Sequence, residues 1–151
     1  MISRKRICAL CLMLSLLFVG CNRTYDYSFM QSLDCVTKVE ICSYDYSSNA
    51  ITSLVVLDTS KAKALLAEID LLECKKHFGD HTMDYGEVII YISYSDDTAE
   101  VIGLWNVARV NKDGQWSIGS EYFDAGQMCS LILAYADKEL LPDLSEYLVE
   151  K

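Results

Sequence analysis

Both histidines of this 151-residue chain fall in one short stretch, Cys74-Lys75-Lys76-His77 followed by Asp80, His81 and Asp84. On a helix, Cys74 and His77 are three positions apart and neighbours on one face. His81 can swing back from a following loop, so a thiolate, two imidazoles and a carboxylate can complete a tetrahedral zinc set. Cys74, His77 and His81 therefore define one reading, a metal-binding protein or a metal-dependent hydrolase. The same Cys and His have the types of a nucleophile and its base. Lys75 and Lys76 oppose a bound cation, no third orienting group is identifiable, and an exposed helix flank is a poor place to exclude water. The plainer reading is a helix C-terminus with solvated imidazoles near its dipole.

Other chemistry-bearing residues reduce to turns and strands. Asp96-Asp97 and Asp113 lack the fixed oxygen-ligand offsets and closing Glu of a calcium loop. Tyr44, Tyr46, Tyr91 and Tyr94, with Trp105 and Trp116, have the types for carbohydrate stacking, yet aromatics are ordinary strand residues. The sequence holds no Gly-rich phosphate loop, G-x-S-x-G elbow or H-E-x-x-H pair. No cofactor is indicated, and a non-enzymatic protein is favoured over an enzyme. The 13 Lys and Arg against 22 Asp and Glu give a formal charge of -9. A chain this acidic is unsuited to nucleic-acid phosphate. Its 52% hydrophobic content and single Pro argue against disorder.

The N-terminus carries an address. Arg4-Lys5-Arg6 precedes an uncharged run from Ile7 to Val19, a length that fits a signal peptide and is short for a membrane span. The run ends Phe18-Val19-Gly20-Cys21. Here the sequence resembles the lipobox of bacterial lipoproteins, with Phe18 where Leu is usual. The resemblance covers the signal region alone. It implies a diacylglyceryl thioether on Cys21, cleavage before that residue, and a mature chain of residues 21–151 held at the cell membrane on its extracytoplasmic side. Two acyl chains anchor stably where one is marginal. Without the three leading cations the balance is 10 against 22, a charge of -12 that anionic headgroups repel. The organisation expected is a signal peptide over 1–20, a lipidated Cys21 and tether over 21–34, and one domain over 35–151.

The domain reads as strands and two helices. Residues 35–46 and 51–57 form a first hairpin, with Val39 and Ile41 sharing a core face with Leu54 and Val56. Asp58, Thr59 and Ser60 can cap a helix over 60–77 with the stripe Ala62, Leu65, Leu66, Ile69 and Leu72, stopped at Gly79. Strands at 87–95, 98–110 and 115–119 follow as a meander, turning at Asp96-Asp97 and at Asn111-Lys112-Asp113-Gly114. Asp124 caps a helix over 125–137, and a short helix at 143–149 ends the chain. The order ββαβββα gives an α+β, two-layer sandwich with a mainly antiparallel five-stranded sheet.

Pairing Ser95 with Thr98 sets Ile89 across from Leu104 and Tyr91 across from Ile102. These four apolar residues then face away from the helices, where a solvated sheet turns polar. They suggest a contact surface for a protein or peptide, unless residues 22–34 or the tail at Leu140-Leu141-Pro142 cover them. Of the cysteines beyond Cys21, Cys35 and Cys42 lie too far apart on one strand for a disulfide. Cys74 and Cys129 can bridge the helices or stay free thiols.

Overall fold

The computed structural model describes residues 24–76 and 85–148. The signal region, Cys21, His77, Gly79 and His81 lie outside the described residues. Among the described residues no helix is long and apolar enough to cross a membrane.

The fold is α+β: one open antiparallel sheet with two helices. Among the described residues the sheet has eight strands, not five: β1 (Thr24–Asp26), β2 (Val36–Asp45), β3 (Ala50–Val56), β4 (Glu73–Lys76), β5 (Val88–Tyr94), β6 (Ala99–Ile102), β7 (Asn106–Val110) and β8 (Trp116–Tyr122). Their order is β1-β4-β8-β7-β6-β5-β2-β3. Helix α1 (Thr59–Asp70) follows β3, and α2 (Ala125–Tyr135) follows β8. Both caps form as their side chains dictate. Asp58 accepts from the amides of Ser60 and Lys61, and Asp124 from that of Gln127.

Three additions enlarge the sheet. Residues 24–26, expected within a tether, pair with β4 as its outer edge. Residues 73–76, expected as the last turn of a helix, are β4 itself. The helix stops at Asp70, after which the Leu72 carbonyl accepts from the Tyr27 amide and Cys74 turns into the core. Pairing with β1 and β8 overrides the local helical pattern here. The long strand expected at 98–110 breaks at Gly103-Leu104-Trp105 into β6 and β7.

The register of the meander is one residue off the expected one. Ile90 pairs with Ile102 and Ser93 with Ala99. Across the next turn, Arg109 pairs with Ser117 and Val110 with Trp116. Both hairpins use three-residue loops with one left-handed residue, Asp97 at φ 66° and Gly114 at φ 75°. The extra loop residue shifts the pairing by one and exchanges the faces of β6. In the first hairpin Asn49 takes φ 54°, and a bulge lies between Ile41 and Cys42. Val39 and Ile41 do face the core, alongside Val55 and Leu57, while Val56 is exposed.

Two cores result. Beneath the helices lie Val39, Ile41, Ile90, Ile92, Ile102 and Leu104, with Leu65, Ile69, Met128 and Ile132 from the helices. Between β1 and β2 the chain crosses this same face as a strap. Tyr27 is buried there, with Phe29 and Met30 packed beside it. The other face gathers Cys42, Tyr44, Tyr85, Ile89, Val101 and Ala108. On it the Tyr44 ring (β2) stacks on the Trp116 ring (β8) with centroids 6.3 Å apart. Those strands are four steps apart, roughly 19 Å on a flat sheet. The sheet therefore curls, and Tyr85 fills the concavity with its ring 5.8 Å from both.

Candidate functional site

The four apolar residues expected on one exposed face do not form a surface. Ile89 is fully buried on the concave side, with Tyr91 partly buried there. Ile102 and Leu104 are fully buried beneath the helices. The one-residue change of register divides the set, and the chain covers both halves itself.

Of the candidate zinc set Cys74, His77 and His81, only Cys74 lies among the described residues. Cys74 lies on a strand and not on the helix that the sequence pattern predicts. Its side chain is buried in the core, and burial, with the Glu121 charge beside it, pushes the thiol up. A ligand or nucleophile needs the thiolate, which this setting disfavours. Among the described residues no three His, Cys, Asp or Glu stand together to hold a metal. Cys35, Cys42, Cys74 and Cys129 are all free thiols. Cys42 is pushed up to about 12 by burial, and the Cys129 thiol donates to the Leu144 carbonyl at 3.7 Å.

Two open clefts lie where β8 meets α2. One of about 620 Å³ lies between that junction and the C-terminal tail, lined by Trp105, Tyr122, Asp124, Ser130, Glu146 and Tyr147. Trp105 and Tyr147 meet edge to face, with centroids 5.3 Å apart. The tail is held because Leu144 is buried and Leu141 and Tyr147 pack on the core. A second cleft of about 510 Å³ shares Tyr122, Phe123 and Asp124 and reaches Thr24, Leu71 and Lys75. No family model, curated protein or solved structure matches this chain.

The strongest polar constellation is buried. Glu100 on β6 has no exposed surface. Its carboxylate accepts from the Tyr27 hydroxyl at 2.7 Å, the Tyr94 hydroxyl at 2.7 Å and the Met30 amide at 3.0 Å. Arg109 approaches with Nε at 3.7 Å and bonds Glu121 through Nη2 at 3.1 Å. Gln31 adds a bond to Thr98 at 2.8 Å. Every lone-pair direction used points to a residue of the strap or the sheet, so the group clamps the strap rather than serving a substrate. Nothing in the sequence marks it, because a Glu in an alternating strand reads as solvent-facing.

This clamp has a pH signature. Burial first, and then the Glu100 carboxylate beside them, push the Tyr27 and Tyr94 phenols far above their ordinary value. In the unfolded chain a phenol ionises near 10. Above that pH the unfolded state binds fewer protons than the native one, so stability present at neutral pH falls as pH rises. Each phenol contributes a slope of about 1.4 kcal/mol per pH unit. Urea midpoints measured from neutral pH into the strongly alkaline range should fall steeply above about 10. Tyr27→Phe should remove about half of the two-phenol slope. A midpoint flat across that range would contradict the clamp.

Proposed function

We propose that the chain is a lipid-anchored, extracytoplasmic interaction module with no catalytic role, tethered at Cys21, that takes a cationic segment of a protein or peptide. The observation that carries this reading is the larger cleft, where the Trp105, Tyr122 and Tyr147 rings stand beside the Asp124 and Glu146 carboxylates. Aromatic faces and carboxylates together suit a Lys or Arg side chain, whose apolar stem packs on the rings while its charge meets the anions. The charge of -12 on the mature chain steers such a partner and speeds encounter.

Glu146 is exposed and makes none of the clamp's bonds, so Glu146→Lys leaves the fold intact. Co-purification from gently solubilised host membranes should retain a partner with the wild type. Glu146→Lys should reduce retention on the order of tenfold, and raised salt should weaken the wild-type complex. Equal retention by both chains, or none by either, would remove the cleft from consideration. Fatty-acid labelling that disappears in Cys21→Ser supports the anchor; label that persists in this variant rejects it.

A further inference from the structure

We propose that the β1–β4 edge of the sheet rests on the headgroup layer of the membrane that holds the Cys21 lipid. This rests on the lipidation reading above. Thr24, the first residue of β1, is three positions after Cys21. Three fully extended residues span at most about 10 Å. A domain whose outer edge begins that close to its acyl chains has no room to stand away from the bilayer.

The edge has the composition of an interfacial surface. Leu71, which leads into β4, is 82% exposed, and Tyr25 on β1 is 42% exposed. Tyr suits the headgroup layer, with an apolar ring and a polar tip. Lys75 and Lys76 are exposed on β4, and the Lys76 ammonium lies 5.1 Å from the Tyr25 ring centroid. Lysines at such a boundary extend their stems along apolar surface and place their charge among phosphates. Charge is sorted along the edge. Thr24 pairs with Lys75 at the end where the chain arrives from the anchor, and Asp26 pairs with Glu73 at the other. The strongly acidic remainder is repelled by anionic lipid, which disfavours orientations that present other faces. An exposed, unpaired strand edge is also covered by this arrangement.

The test uses the lipidated full chain on phosphatidylglycerol vesicles, with amine acylation of individual lysines followed by mass spectrometry. Lys75 and Lys76 should react on the order of fivefold more slowly, relative to Lys112, in the wild type than in Leu71→Asp. Leu71 is nearly free of contacts with the core, so that variant keeps its fold. Equal relative rates in the two chains, with fatty-acid label present on both, would overturn the docked edge and leave the anchor standing. Absence of label on either chain would instead overturn the lipidation on which the inference depends.

Discussion

Glu100→Ala should lower the stability of the domain by about 4 kcal/mol, a large part of the total for a chain of this size. The carboxylate accepts from two phenols and one amide, all within 3.0 Å. Removing it strands those donors in a site with no exposed surface, and each buried unsatisfied group costs about 1–3 kcal/mol. Arg109 also loses one of its two anionic neighbours. Glu100→Gln keeps the shape and one acceptor, so about half of that loss is expected. Combining Glu100→Leu with Tyr27→Phe and Tyr94→Phe removes both phenol donors with the acceptor, leaving the Met30 amide, and should recover much of what Glu100→Ala loses. Urea unfolding of the single, paired and triple variants reads both the loss and the coupling. A Glu100→Ala chain within about 1 kcal/mol of wild type would show that the strap is held by packing alone. The strap that the clamp holds is continuous with β1, the outer edge of the sheet.

The sequence carries the faces of single strands better than their pairing. Val88, Ile90, Ile92 and Tyr94 alternate inward as their types require, and the two Asp caps start both helices. Pairing is less legible because it turns on loop length. Asp96-Asp97 reads as a two-residue turn, whereas the Tyr94 amide bonds the Thr98 carbonyl across three residues, with Asp97 left-handed. That single extra residue splits Ile89 and Tyr91 from Ile102 and Leu104, so the expected binding face dissolves. Residues 24–34 looked like a tether because they lack a period. They are a strap, whose order comes from side chains reaching Glu100 rather than from a repeating local pattern. Likewise Glu73–Lys76 has helical neighbours in sequence and strand neighbours in space. The cleft residues Trp105 and Tyr147 are separated by a whole hairpin and helix. The one hint of their meeting is the tail spacing of Leu141, Leu144 and Tyr147, which repeats every third residue.

Gly103→Ala should cost about 3 kcal/mol or more, because the added methyl has nowhere to go. A Cβ at Gly103 would lie 2.4 Å from the Tyr85 carbonyl oxygen and 2.7 Å from its Cα and Cβ. Those are mostly backbone atoms, so no flexible side-chain end can swing aside. They are also fixed from the other side, since the Leu104 amide donates to that same carbonyl at 2.7 Å and the Gly103 amide to the Asn106 carbonyl at 2.8 Å. The two backbones cross at the break between β6 and β7, and only a residue without Cβ permits the approach. Displacing Tyr85 withdraws its ring from beside Tyr44 and Trp116 and opens the concave core. The thermal midpoint should fall on the order of 10 °C. Tyr85→Phe separates crowding from hydroxyl chemistry. The Tyr85 hydroxyl is buried with no hydrogen-bond partner among the described residues. Its removal should therefore be neutral or stabilising by about 1 kcal/mol. A Gly103→Ala chain that melts with the wild type would mean that the segment leading into β5 is free to move. The curl of the sheet would then have to be held by the aromatic cluster without this crossing.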